Sequence, residues 1–132
     1  MNGNLLGAAL VTVAAPLVAA AATSLGAGRA RPRRLAVAAI CTSLASSIAI
    51  SFLWSRTDGT PLAFGDRLGG GTVVFIDGIT AVLLPYVALV ELAILLVAPR
   101  RALETAAVSR LLAGAAATFA LFLTSHPLVL IL

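Results

Sequence analysis

The sequence predicts an all-α integral membrane protein with four transmembrane helices and a short partial fifth segment. Of its 132 residues, 61% are hydrophobic and only 11% are charged, and the mean hydropathy is +1.09. A soluble domain carries about 25% charged residues. A chain of this size cannot bury so much apolar surface in a core of its own, so lipid must be the solvent for much of it.

Four apolar stretches reach or approach the length of about 20 residues that a spanning helix needs. We predict transmembrane helices at Leu5–Leu25, Leu35–Trp54, Val73–Val97 and Val108–Thr124, all within one membrane domain, residues 1–132. No basic residue precedes the first stretch, which stays apolar to about Gly26. We therefore interpret it as a retained span and not as a cleaved signal peptide.

The arginines predict how these helices are oriented. The net charge is +4, and the connections 26–34 and 98–110 hold four and three arginines. Cytoplasmic loops of membrane proteins are enriched in basic residues. We therefore expect both connections in the cytoplasm and the N-terminus outside. Membrane topology also explains the basic charge without nucleic acid as a partner.

The longer outer connection, Ser55–Thr72, contains two turn signals, Asp58–Pro61 and the glycine run 69–71. Short apolar pieces flank them, at 61–64 and 72–75. This pattern predicts a small hairpin on the membrane surface. The glycine run does not predict a phosphate-binding loop, because the chain contains no lysine.

The last residues predict a break followed by a new helix. Proline suits the first turn of a helix, so Ser125-His126-Pro127 is interpreted as the break and Pro127–Leu132 as a partial fifth segment. Because that segment is too short to cross a bilayer, we expect the chain to be truncated. The alternative is one kinked last helix.

Small and hydroxyl-bearing residues form stripes on three of the predicted helices. The second helix carries Ser43, Ser46, Ser47 and Ser51. Such a stripe lines a water path or lets helices approach closely, and we favour close helix contact. The same interpretation applies to Gly3, Gly7, Ala113, Gly114, Ala117 and Thr118.

Glu91 is a carboxylate well inside the third apolar stretch. At 1.5 Å per residue it lies about 9 Å from Val97 at the stretch's end, too deep for its short side chain to reach water easily. No basic residue is expected at that depth. Glu91 is therefore neutral, hydrated or paired with another chain, and it is a candidate for a proton path or a tolerated acid near the interface.

Asp77, His126 and Pro85 are the other residues of the second half of the chain that could affect a proton path or the shape of a helix. Asp77 shares a helix face with Glu91, and we favour a helix N-cap over a proton-path role. His126 is favoured as a border residue over a proton relay. Pro85 predicts a kink, with the freed carbonyl satisfied by a neighbouring helix or by water.

Soluble-enzyme chemistry is not predicted. The chain has one histidine, one cysteine and no paired carboxylates at catalytic spacing. We therefore predict no catalytic residues, no cofactor and no metal site, and at most a subunit of a redox-driven complex.

The segment FIDGITAVLLPYVALVELAILLVA, residues 75–98, resembles an early span of the antiporter-like proton-pumping subunits. These subunits occur in complex I, Mrp-type sodium/proton antiporters, membrane-bound hydrogenases and inorganic-carbon uptake systems. Asp77-Gly78-Ile79-Thr80 match the Asp-Gly-Leu-Ser-like opening of that family, and Val97-Ala98 fall at its end. The resemblance covers about Leu62–Leu132.

The chain departs from the family pattern at Pro85, at Glu91, where relatives have a small residue, and at His126-Pro127. It also stops before the family's key glutamate, lysines and broken helices. The resemblance implies the N-terminal part or a split subunit of such a complex in the bacterial plasma membrane. Its partners are then lipid and other membrane subunits, or the remainder of the same protein. The alternatives are a free-standing oligomeric proton-coupled transporter and a non-transporting scaffold.

Overall fold

A computed structural model describes residues 2–26, 31–58, 60–64, 74–99, 101 and 103–124. Within these residues the chain forms four helices and one two-stranded sheet. In chain order they are α1 (Asn2–Ser24), α2 (Pro32–Ser55), β1 (Leu62–Phe64), β2 (Val74–Ile76), α3 (Gly78–Val97) and α4 (Thr105–Leu123).

All four helices are long and apolar enough to cross a membrane. The shortest has 19 residues and the longest 24, which correspond to about 28 and 36 Å at 1.5 Å per residue. The hydrocarbon core of a bilayer is about 30 Å thick. The protein is therefore a multi-pass membrane protein, and the prediction of four spans is confirmed.

Two helix boundaries differ from the predicted ones for local reasons. Helix α3 begins at Gly78 and not at Val73, because residues 74–76 pair with β1 and Asp77 caps the helix. Helix α4 begins at Thr105 and not at Val108, so Arg110 lies in its second turn. The predicted break and the partial fifth segment, residues 125–132, lie outside the described residues.

The predicted hairpin strands are present. Strands β1 and β2 are antiparallel, with Leu62 opposite Ile76 and Phe64 opposite Val74. Ile76 is fully buried, and β2 contacts α4. The strands lie where α2 ends and α3 begins, and we call this end of the bundle the hairpin end. The opposite end, where α2 and α4 begin, carries Arg31, Arg33 and Arg34 and is called the arginine-rich end.

The helices pack in the spatial order α4, α1, α2, α3. Helix α1 packs extensively against α2 and α4, and α2 packs extensively against α3, whereas α3 and α4 touch only slightly. One polar contact joins these two near the hairpin end, where Thr80 Oγ1 donates to the carbonyl of Phe122 at 3.4 Å. The bundle is therefore incompletely closed, and we call the side between α3 and α4 the open side.

Two of the predicted small-residue stripes face away from the bundle. Gly3, Gly7, Gly114 and Ala117 are exposed, and a Cβ added at any of the three glycines would meet nothing within 4 Å. The prediction that they form close helix contacts is wrong for this bundle. A different face of α4 is packed, on which Leu112, Ala115 and Phe119 are buried.

Candidate functional site around Glu91

Pro85 interrupts the hydrogen bonding of α3, as its sequence position predicts. Proline has no N–H, so the carbonyl of Ala81, four residues earlier, loses its partner within the helix. The hydroxyl of Ser51 on α2 donates to that carbonyl. The same hydroxyl also lies 3.0 Å from the carbonyl of Ser47, so its one hydrogen is shared between two acceptors. A neighbouring helix therefore satisfies the freed carbonyl, as expected for a proline within a membrane.

Pro16 creates the same requirement in α1, and α2 meets it in the same way. The carbonyl freed by Pro16 belongs to Thr12, and the hydroxyl of Ser43 donates to it at 2.9 Å. The hydroxyls of Thr12 and Ser46 are also hydrogen-bonded to each other, at 2.8 Å. Thr12 and Ser43 are fully buried. The serine stripe of α2 therefore connects it to both neighbouring helices, which confirms the helix-contact interpretation.

Asp77 is the N-cap of α3. Its Oδ1 accepts a hydrogen bond from the backbone N–H of Thr80 at 2.7 Å, one of the N–H groups that a helix start leaves without an intrahelical partner. This N–H bond, with a further contribution from the Thr80 side chain, holds the pKa of Asp77 below its usual value. The carboxylate therefore stays charged at neutral pH and stabilises the first turn.

Gly78 allows a tryptophan to approach the start of α3 closely. A Cβ at this position would lie 3.1 Å from Cη2 of Trp54, near the end of α2. Such a contact is closer than van der Waals packing ordinarily permits. The indole N–H of Trp54 is buried and has no hydrogen-bond partner within the described part of the chain. The Asp-Gly pair thus combines a helix cap with a close interhelical contact.

Glu91 lies on the inward face of α3. Leu84, Ala88 and Leu95, which share this face, are fully buried, whereas Glu91 is half-buried. Its Oε2 atom is enclosed, and no described residue donates a hydrogen bond to it. A carboxylate oxygen removed from water without a donor is unfavourable. This atom and the indole nitrogen of Trp54 are the two buried side-chain atoms without a hydrogen-bond partner in the described part of the chain.

An arginine of α2 is hydrogen-bonded to the end of α3. Nη2 of Arg33, in the first turn of α2, donates to the carbonyl of Leu96 at 2.7 Å. Leu96 is in the last turn of α3, where carbonyls lack intrahelical partners and a positive charge is favourable. Arg33 therefore fastens the arginine-rich ends of α2 and α3 together.

Arg110 corrects the expectation that no basic residue lies at the depth of Glu91. It is five residues from the start of α4, and Glu91 is six residues from the end of α3. The two therefore lie about 7.5 and 9 Å from the arginine-rich end of their helices. However, Arg110 is exposed and lines a cavity of about 570 Å³ together with Thr23 and Ser24 of α1. Arg110 therefore lies beside α1, and no hydrogen bond joins it to the buried oxygen of Glu91.

Of the three candidates for a proton path or a helix contact, two lie on α3 or at its start, far apart along the helix axis. Fourteen residues separate Asp77 from Glu91, which is about 21 Å along a helix axis, and His126 lies outside the described residues. The two serine contacts, Ser43 and Ser51, were not assigned to carbonyls from the sequence. The sequence signal for these contacts is the residue four positions before each proline, because the carbonyl of that residue needs a donor from a neighbouring helix.

Comparison of the chain with protein-family models, with curated protein sequences and with solved structures gives no match. The resemblance of residues 62–132 to antiporter-like subunits accordingly stays a prediction.

Proposed function

We propose that this chain is a helical module of an antiporter-like, proton- or cation-translocating complex in the bacterial plasma membrane. It is the N-terminal part or a split subunit of such a complex. Its role is to pack against further membrane-embedded polypeptide, and it does not move ions alone. Its arginine-rich end lies in the cytoplasm and its N-terminus outside, as the distribution of arginines favours.

The unsatisfied carboxylate oxygen of Glu91 is the observation that carries the proposal. A membrane helix has no water to supply missing donors in the hydrocarbon region, so intramembrane polar groups generally find protein partners or mark functional paths. The atom lies on the inward face of α3, and α3 makes little contact with α4. An unsatisfied acceptor on the inward face of an incompletely closed bundle favours the interpretation that a second polypeptide packs against this chain and supplies the donor.

The start of α3 supports the family assignment. The Asp-Gly-Ile-Thr sequence that resembles the family's opening begins with a capping aspartate, and a glycine that admits Trp54 follows it. An antiparallel strand pair directly precedes it. These roles give physical reasons for the residues on which the resemblance depends.

A free-standing oligomeric transporter is the second candidate, and one observation favours it. Arg110 lies at nearly the same depth as Glu91 but on an exposed face. In a parallel assembly of copies, the arginine of one copy and the glutamate of the next would meet at matching heights. Glu91 would then be the proton-coupled group of each transport unit.

Reconstitution separates the two candidates. The purified chain in liposomes with an enclosed pH-sensitive dye should give no proton flux above that of empty liposomes. Co-reconstitution with the membrane subunits encoded beside its gene should give flux. Flux from the chain alone that Glu91→Gln abolishes, and that the control Glu104→Gln at the membrane border preserves, would instead establish the oligomeric transporter.

The neighbouring genes provide an independent check. The proposal requires a downstream reading frame that encodes the family's key glutamate, lysines and broken helices. An isolated gene with its own promoter contradicts it.

A further inference from the structure

We propose that the open side of the bundle receives a transmembrane helix of the partner, and that this helix places a lysine or arginine side chain on Glu91. The inference rests on the proposed function, because it specifies the partner that completes the module. It goes beyond that function in stating where the partner docks, at which depth its charged residue lies and which sign that charge has.

The chemistry of the unsatisfied atom selects a basic side chain. Oε2 of Glu91 is a hydrogen-bond acceptor without a donor among the described residues. Lysine and arginine are donors only, so neither brings an acceptor that would itself remain unsatisfied. A charge-assisted hydrogen bond is shorter and stronger than a neutral one, and a low-dielectric surrounding increases its strength.

The position of the atom selects the depth. Glu91 is six residues before the end of α3, so the partner's basic group must lie about 9 Å from the arginine-rich end. Arg33 is held by the carbonyl of Leu96 at that end. Arg110 is on the α1 side of α4, beside Thr23 and Ser24. Neither of these two arginines therefore supplies the missing donor.

We place the partner helix between α3 and α4, whose facing flanks make little contact with each other. Helix α2 covers one flank of α3, and α1 covers one flank of α4, while the facing flanks of α3 and α4 make little contact. By helical position, Val87 and Ile94 border Glu91 on this side of α3. Val87 is half-buried and Ile94 is 51% exposed. An apolar helix with one basic residue therefore matches both the border and the acceptor.

A second copy of the chain fits this opening less well. Its only described basic group at the required depth is Arg110, which lies on the broad surface that α1 and α4 form together. The α1–α4 surface of the second copy, which is two helices wide, would have to fit between α3 and α4 of the first copy. The contact would also join two different surfaces, which yields a ring or an open array of copies.

The experiment uses the full-length chain in bicelles and synthetic leucine–alanine helices of about 22 residues. Three peptides are compared, with lysine, asparagine or leucine six residues from one end, and binding is measured by energy transfer between labels. The lysine peptide should bind the wild-type chain about five- to thirtyfold more tightly than it binds Glu91→Gln, the range expected for intramembrane polar pairs. The leucine peptide should not distinguish the two, and Glu104→Gln should behave as wild type.

Equal affinity of the lysine peptide for the wild-type chain and Glu91→Gln would overturn the inference. So would an asparagine peptide that binds as tightly as the lysine peptide, because the charge would then be unnecessary. Energy transfer between two labelled copies that both Glu91→Gln and Arg110→Gln abolish would assign the carboxylate to a neighbouring copy and also overturn it. Circular dichroism of each variant establishes that the helices are retained. The proposed function fails separately, if the chain alone transports protons in liposomes, whichever peptide binds.

Discussion

Replacing Ser43 with alanine removes the only described hydrogen bond to the carbonyl that Pro16 frees in α1. The carbonyl of Thr12 then has no partner in a fully buried position. An unsatisfied buried polar group costs about 1–3 kcal/mol in proteins, and hydrogen bonds between membrane helices contribute about 0.6 kcal/mol on average and up to about 1.7. We therefore expect Ser43→Ala to lower the free energy of unfolding by about 1–2 kcal/mol.

The proline gives this prediction a specific test. In a Pro16→Ala background, a backbone N–H at position 16 can bond to the Thr12 carbonyl within α1. The cost of Ser43→Ala should then fall below about 0.5 kcal/mol, which leaves a coupling energy of about 1 kcal/mol in the double-mutant cycle. The free-energy costs of the small cavities that the two substitutions leave cancel in the cycle if the cavities do not interact.

Detergent-driven unfolding in bicelles measures the effect, and the chain's one tryptophan, Trp54, reports on it. The matched control is Thr42→Ala, since Thr42 is exposed and the one hydrogen bond that its hydroxyl makes to a described residue is to the carbonyl of Ala38 in its own helix. It should change stability by less than about 0.5 kcal/mol. If Ser43→Ala costs the same with and without Pro16, the serine acts through packing and the carbonyl argument is wrong.

Two further predictions concern the start of α3. Gly78→Ala should destabilise the protein by about 1 kcal/mol while Trp54 is present, because the added Cβ lies too close to the indole. In a Trp54→Ala background Gly78→Ala should be neutral or stabilising, since alanine favours helix more than glycine does. Unfolding followed by circular dichroism measures the stability of each variant. Equal effects of Gly78→Ala in the two backgrounds would refute the steric explanation. The folded-state pKa of Asp77 is lowered, so its stabilisation is present above its unfolded pKa of about 3.9 and is lost as the pH falls through the lower folded value. Asp77→Asn keeps a capping side chain but should lack this loss below about pH 4, and an identical pH profile for both proteins would contradict the assignment.

Much of the fold was predictable, because hydrophobic length and turn residues act locally. The four spans follow from stretches of about 20 apolar residues, and the antiparallel strands follow from the turn signals between 58 and 71. The N-cap at Asp77 follows from an aspartate directly before an apolar run. Each of these features depends on residues close together in the chain.

The arrangement of the helices was not predictable in the same way. Which face of α4 is buried depends on how the neighbouring helices are placed. The small residues of α4 were therefore predicted to make a helix contact, although they lie on an exposed face. The depth of Arg110 depended on where α4 begins, and a shift of three residues changed it by about 4.5 Å. The partners of Ser43 and Ser51 depended on which helices neighbour α2.

The spatial order of the helices has a consequence for biogenesis. Helices emerge from the ribosome in chain order, so the pairs α1–α2 and α2–α3 can assemble as soon as each new helix enters the bilayer. Of these four helices α4 is synthesised after the others but packs mainly against α1, and Ser109 donates to the carbonyl of Ala20, 89 residues earlier. Until that moment the receiving flank of the first helix faces lipid or the insertion machinery. The contact between α1 and α4 therefore forms after the first three helices have been inserted.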